Sequence, residues 1–318
     1  MKIIVRLLLV MLLLNSGWAM AQRDAVFKVV PLGVKGGSDE SNLSCYAVSA
    51  QGANEYVCLD AGTINYGIQK AMATGAMKGT DASEIQKAMI KGYLISHPHL
   101  DHVAGLIMNA PEDSPKNIYG MPACLDVLKD KYFSWKNWAN FGDDGDKPAL
   151  GKYHYVPLTE GAELPLQNTT MSVKAFVLSH SAPYQSTAFL IKSEDNYLLY
   201  LGDTGSDEIE KSDKMHKLWE AVGPLIKSKQ LKAIFIEVSF ANEQPDKSLF
   251  GHLTPRLLMN EMKVLNGLSD NMLKNFPIVI THRKPAGDRE EKIKQQLLDA
   301  NALQVKLVFP EQGKNLGF

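Results

Sequence analysis

Six consecutive positions, 97 to 102, hold three histidines and an aspartate: His97, His99, Asp101 and His102, in the stretch ISHPHLDHVAGL. The whole sequence of 318 residues has only eight histidines. Ionisable groups this close repel and desolvate one another unless they share a partner. A metal ion accepts imidazole nitrogens and carboxylate oxygens together. Further along, apolar runs end on groups of the same kind. YLIS ends at His97, AFVLS at His180, LLYLG at Asp203 and PIVIT at His282. Ligands presented at strand ends are how layered α/β proteins build a site along one sheet edge, whereas a core histidine more often falls inside a run.

This donor set suits zinc, manganese or iron, with zinc taken first, and without cysteine it does not suit a structural zinc knot. In an extended turn His97 and His99 point the same way and can share one ion, which His180 joins. Asp101 and His102 begin a helix and can reach a second ion, which His282 joins, and Asp203 can bridge the two. Each ion keeps an open position, the mark of a catalytic rather than a structural site. Two divalent ions about 3.5–4 Å apart would hold a bridging hydroxide at neutral pH and brace an in-line displacement at phosphorus.

The elements that must position these groups alternate. VFKVVPLG, SNLSCYAVSA and NEYVCLD read as strands, with a turn near 51–54, and so do KGYLIS, MSVKAFVLSH, TAFLIKSEDNYLLYLGD, LKAIFIEVSF and FPIVITH. Helical patterns follow DAG at 60–62, then lie at 82–90, 101–110, 121–132, 208–227, 254–266 and 288–300. Short β-branched runs mixed with helices predict a single layered α/β domain over residues 22–318. The aromatic-rich segment at about 131–155, KYFSWKNWANFGDDGDKPALGKYHY, interrupts the pattern. It reads either as a lid or purine-stacking platform, or as an insertion packing its aromatics on the core or another subunit.

The first residues, MKIIVRLLLVMLLLNSGWAMAQ, combine Lys2 and Arg6, an apolar run and the small-residue pattern Ala19-Met20-Ala21. They predict a secretory signal spanning 1–21, with a periplasmic or secreted product that no longer touches a membrane. The formal net charge is −1; removing Lys2 and Arg6 leaves 32 basic residues against 35 acidic, or −3. Long nucleic acid prefers strongly basic surfaces and is excluded as a partner. Cys45, Cys58 and Cys124 form no metal-like spacing. Cys45 and Cys58 lie on neighbouring runs, where cross-strand pairing is awkward and free buried thiols are the simpler reading.

His-x-His-x-Asp-His followed by distant His, Asp and His resembles the metallo-β-lactamase fold superfamily. Within it, HPHLDHVAGL, GHLTP at 251–255 and THRKP at 281–285 are similar to class II cyclic-nucleotide phosphodiesterases. The resemblance implies an αβ/βα four-layer sandwich and a binuclear enzyme opening 3′,5′-cyclic AMP, with cyclic GMP a second candidate, to the 5′-monophosphate. It also implies that Asp60 in LDAG props the metal loops without being a ligand. Glu237 in IEVSF and His252 in GHLTP match the family's acidic–histidine pair, in which the histidine faces the phosphate and protonates the leaving oxygen. Asp101 is expected both to bind metal and to take part in catalysis.

The remaining polar features read as structural. His154 is a surface or lid residue, His216 a solvated helical one, and Asp143, Asp144 and Asp146 a solvated turn; NLS at 42–44 and NTT at 168–170 fit glycosylation sequons. Rival readings are another hydrolase of the same fold (a β-lactamase, thioesterase or nuclease) and a metal- or nucleotide-binding protein without turnover. Many β-lactamases carry Cys where this chain has Asp203 and lack the Glu237/His252 pair, and a nuclease would add a basic exosite. The oligomeric state stays open, a homodimer included. The leader reading is tested by N-terminal sequencing of the chain recovered outside the cytoplasm. It should begin at or near Gln22; Met1 retained on a membrane-bound form would refute it.

Overall fold

The computed structural model describes residues 25–318; the expected leader at 1–21 lies outside the described residues. Among the described residues, fourteen strands form two seven-stranded sheets. The first runs in the order β14 (Leu316–Gly317), β1 (Phe27–Gly33), β2 (Cys45–Ala50), β3 (Tyr56–Leu59), β4 (Ile90–Leu94), β5 (Lys116–Gly120), β6 (Tyr153–Pro157). The second runs β13 (Lys306–Val308), β12 (Pro277–Thr281), β11 (Leu231–Glu237), β10 (Asn196–Leu201), β9 (Gln185–Ser193), β8 (Met171–Ser179), β7 (Glu163–Pro165). From β3 to β6, and from β10 to β13, neighbours are parallel.

Three apolar clusters explain the layering. One is made by the facing sides of the two sheets and includes Tyr46, Phe189, Tyr200, Phe235 and Val279. A second lies between the first sheet and helices α1 (Asn65–Thr74), α2 (Ala82–Met89), α3 (Leu100–Asn109) and α4 (Pro122–Val127). A third lies between the second sheet and, after a short α5 (Asp207–Glu210), helices α6 (Lys214–Lys227), α7 (Pro255–Leu268) and α8 (Arg289–Ala300). Helix, sheet, sheet and helix therefore stack in four layers, as expected. Strands covered on both faces read as continuous apolar runs, which is why PIVIT and IFIE were legible without alternation.

Several elements depart from the sequence expectation. The helix expected at 208–227 breaks at Lys211, which adopts a left-handed φ of 52°. The one expected at 121–132 ends at Val127 and continues as a π-helical turn, Leu128–Tyr132. Strands β5, β6, β7, β13 and β14 were not anticipated. β5 is KNIYG and β6 is YHYVP, short and polar enough to pass for loop. The end of the aromatic-rich segment is thus a sheet strand. Its beginning packs inward: Phe133 is fully buried, 5.9 Å from the Tyr153 ring and 6.3 Å from Phe141, while Trp135 and Trp138 stay exposed. His154 is exposed and pairs with Asp143. The three cysteines are buried and free. No helix among the described residues is long and apolar enough to cross a membrane.

Phe235 couples the layers, its ring 5.5 Å from that of Tyr46 across the inter-sheet core, on the strand that ends at Glu237. Phe235→Ala should cost about 3–5 kcal/mol, as for large aromatic deletions in packed cores. Chemical denaturation checks this; a loss below about 1 kcal/mol would show that the sheets do not lean on this ring.

Candidate metal centre

All seven expected ligands meet at one edge of the two sheets. His97 follows β4, His180 follows β8, Asp203 follows β10 and His282 follows β12, while Asp101 and His102 open α3 and His99 sits at its N-cap. On one side His97 Nε2 lies 3.1 Å from His99 Nδ1, which lies 3.3 Å from His180 Nε2. On the other, His282 Nε2 lies 3.1 Å from Asp101 Oδ2, and His102 Nε2 lies 3.9 Å from Asp101 Oδ1. Between them stands Asp203. Its Oδ2 is 3.3 Å from both His102 Nε2 and His282 Nε2, 3.7 Å from His97 Nε2 and 4.0 Å from His180 Nε2.

The imidazoles are oriented by what holds their other nitrogen. His97 Nδ1 donates to Ser96 Oγ (3.0 Å), whose hydroxyl donates to Asp60 Oδ2 (2.8 Å). His102 Nδ1 donates to the same Asp60 oxygen (2.7 Å), which also accepts from Tyr200 (2.6 Å). His180 Nδ1 donates to the Gly251 carbonyl (2.8 Å), and His282 Nδ1 to Ser239 Oγ (2.9 Å). Four Nε2 atoms thereby point inward with the tautomer set, the arrangement by which outer partners prepare imidazoles for a metal.

The residues fit a cation. His102 Nε2 is fully buried and makes no hydrogen bond. His97, His99 and His180 present three nitrogens within 4.8 Å of one another, and Asp101, His102 and His282 a second such group. Electrostatics divides the site. Burial holds His97, His99 and His180 below the usual histidine range, His99 at about 4, so these are neutral donors. Burial also opposes charge on His102, but Asp203, Asp60 and Asp101 outweigh it and raise its pKa well above the ordinary value. Asp203 and Asp101 are held low by the histidine charges despite burial.

His252 stands apart. It too lies near Asp203, with Nδ1 at 3.7 Å, but that nitrogen is 2.7 Å from Glu237 Oε1. Its Nε2 faces Lys284 Nζ at 3.0 Å, and His252 also falls in two further donor groups, with His180 and Asp203 and with Glu237 and His282. Glu237 is wholly buried and also accepts from Ser239 Oγ (2.6 Å) and the Ser239 amide (3.0 Å).

The sequence profile described as cAMP phosphodiesterases class-II matches residues 25–313. The chain belongs to the class-II cAMP phosphodiesterases. It is 43% identical to the 3′,5′-cyclic-nucleotide phosphodiesterase of Aliivibrio fischeri, over 95% of this chain and 96% of that one. Among solved structures it is similar to unliganded yeast PDE1, with TM-score 0.80, 22% identity, and 92% and 100% of the two chains covered. The metallo-β-lactamase fold protein YhfI of Bacillus subtilis follows with TM-score 0.63, 14% identity, and 92% and 99% covered. The fold is therefore that of the metallo-β-lactamases.

Beyond Asp60 and Glu237, sequence reasoning did not single out the supports of this phosphodiesterase site. Ser96 and Ser239 are small hydroxyls beside strand ends, a signal that only gains meaning once the histidines are placed. The glycine pair in VKGGSD was also passed over. A Cβ on Gly36 would lie 2.1 Å from the His282 ring, and the Gly37 amide donates to Asp101 Oδ2 at 2.8 Å. Gly251, at φ 75°, lets its loop lie against His180 and Ser181.

Asp203→Ala should lower metal content on both sides together, measured by elemental analysis of protein prepared without chelator. One tightly held ion unaffected by the change would refute a shared carboxylate. Metal affinity should fall on acidification. His102 must surrender a proton that its three carboxylate neighbours stabilise, so lower pH favours the competing proton.

Proposed function

We propose that this chain hydrolyses 3′,5′-cyclic AMP to 5′-AMP, with two divalent metal ions, zinc first among them, and His252 as general acid. The observation that carries the reading is the pair Glu237–His252 set against the seven-ligand centre, with Nδ1 held at 2.7 Å by Glu237 and Nε2 turned away from it toward Lys284 at 3.0 Å. His97, His99 and His180 would hold one ion, Asp101, His102 and His282 the other, with Asp203 between. When bound, the ions would supply Lewis acidity toward phosphoryl oxygens and water made nucleophilic at neutral pH.

The chain's own residues do the rest. Water adds at phosphorus and the P–O3′ bond breaks. The departing O3′ is an alkoxide and a poor leaving group, so it needs a proton. Burial and the Lys284 ammonium disfavour the charged form of His252, yet Glu237 and Asp203 raise its pKa above the ordinary histidine value, the direction a general acid needs. Glu237 keeps the ring turned while the proton leaves. Asp101 lies at the more open rim of the site, with its side chain 18% exposed. The working compartment we propose is the periplasm or the exterior, on the strength of the N-terminal apolar run.

A general acid contributes about 10²–10⁴-fold, and its loss depends on the leaving group. His252→Ala should cut turnover of cyclic AMP by that order, cost much less with bis(p-nitrophenyl) phosphate, whose phenolate leaves unaided, and keep the metal. His282→Ala should lose metal and damage both substrates together. If His252→Ala strips metal and His282→Ala does not, the two roles are exchanged. Parallel assay of cyclic GMP reports purine preference.

A further inference from the structure

We propose that Lys284 is a catalytic residue of this site, an ammonium that grips a non-bridging oxygen of the substrate phosphate. The inference rests on the phosphodiesterase reading above and adds a group to it. Lys284 lies two residues beyond His282, in the loop that leaves β12. Its Nζ is 3.0 Å from His252 Nε2, the atom assigned to protonation of O3′. The ammonium sits 5.1 Å above the Phe240 ring, and that ring stands edge-on to His252 at 5.7 Å. Its side-chain carbons rest 3.8 Å from where a Cβ of Gly37 would be. Packing against Phe240 limits where the head can go, and a cation over an aromatic face is itself attracted.

Of the neighbouring cations, Arg289 shares the Phe240 ring at 5.2 Å, and two others have acidic partners. Arg283, the adjacent residue, pairs with Glu290 at 3.5 Å, and Lys35 pairs with Asp39 at 3.3 Å and Glu290 at 3.1 Å. The site's own carboxylates face histidines: Asp101 and Asp203 toward His282, Glu237 toward His252. Among the described residues Lys284 has no carboxylate within ion-pair distance, and its polar contact is an imidazole nitrogen. Lys284 Nζ thus donates to an imidazole acceptor, His252 Nε2, beside the metal centre, and an ammonium with no anionic partner there calls for an anion. A phosphodiester is that anion, and its charge grows as the water adds, so a fixed ammonium stabilises the transition state more than the ground state. Lysine commonly serves this role as a point charge.

The test compares Lys284→Met and Lys284→Arg holoenzymes with wild type, using cyclic AMP, bis(p-nitrophenyl) phosphate and, at equilibrium, calorimetric binding of inorganic phosphate. Lys284→Met should lower kcat/KM about 10²-fold on both substrates alike, the loss typical of removing one preorganised donor. It should also weaken phosphate binding and leave metal content unchanged. Lys284→Arg should recover most of the loss, because guanidinium also binds phosphate. Unchanged kcat/KM and phosphate affinity in Lys284→Met would overturn the proposal. So would a loss confined to cyclic AMP, which would make Lys284 a positioning residue acting through His252. A wild-type enzyme inactive on cyclic AMP would sink the substrate reading alone, since the aryl diester and phosphate binding still report on Lys284.

Discussion

Two buried carboxylates, Asp60 and Glu237, carry the site. Both are fully buried, and neither is a member of the seven-ligand set. A carboxylate in an apolar interior is costly unless its oxygens are filled with donors. Asp60 fills them with the Ser96 amide and hydroxyl, Tyr200 and His102. Glu237 fills them with Ser239, the Thr204 amide and His252. Satisfying each carboxylate sets the imidazoles around it, because those rings are among the donors it needs. Asp60 directly follows β3 in the first sheet and Glu237 ends β11 in the second, so each half of the sandwich brings its own anchor.

The backbone bears strain where these demands are met. Asp60 and His282 both occupy the left-handed region, at φ 56° and 53°. Such conformations cost about 1–3 kcal/mol and persist where the surroundings over-determine them. At Asp60 the surroundings are the saturated carboxylate. At His282 they are Ser239 on one ring nitrogen and the bare approach of Gly36. Packing of four layers supplies the rigidity that holds both in place, and the same packing excludes water, which strengthens every charge interaction in the centre.

The uneven electrostatics follows from which sheet edge supplies which group. His97, His99 and His180 are governed first by burial, and neighbouring histidines add to it, so they stay low against the pull of Asp203. His102 lies within reach of Asp60, Asp101 and Asp203. One half of the centre therefore offers nitrogen donors ready for an ion, and the other offers ionised carboxylates and one imidazole, His102, whose proton must be displaced. The two halves should differ in how strongly pH controls them, since only one has a proton to lose.

Much of this was legible before any fold was known. The crowding of His97, His99, Asp101 and His102 demands a cation by local charge alone, and runs such as AFVLS and PIVIT announce strands that deliver a polar group at their ends. Short, polar or peripheral strands such as KNIYG and YHYVP were not legible, because their pairing is decided by the neighbouring strand rather than by their own residues. What the sequence determined by itself is what lies close along the chain: residue chemistry, strand-end placement and the layered class. What only the tertiary structure decided is which ring nitrogen faces inward, that Gly36 must be bare beside His282, and that Lys284 meets His252. Those depend on groups 32 to 246 residues apart being brought to hydrogen-bond distance, and contact across loops of that length is set by packing of whole sheets, which no local pattern encodes.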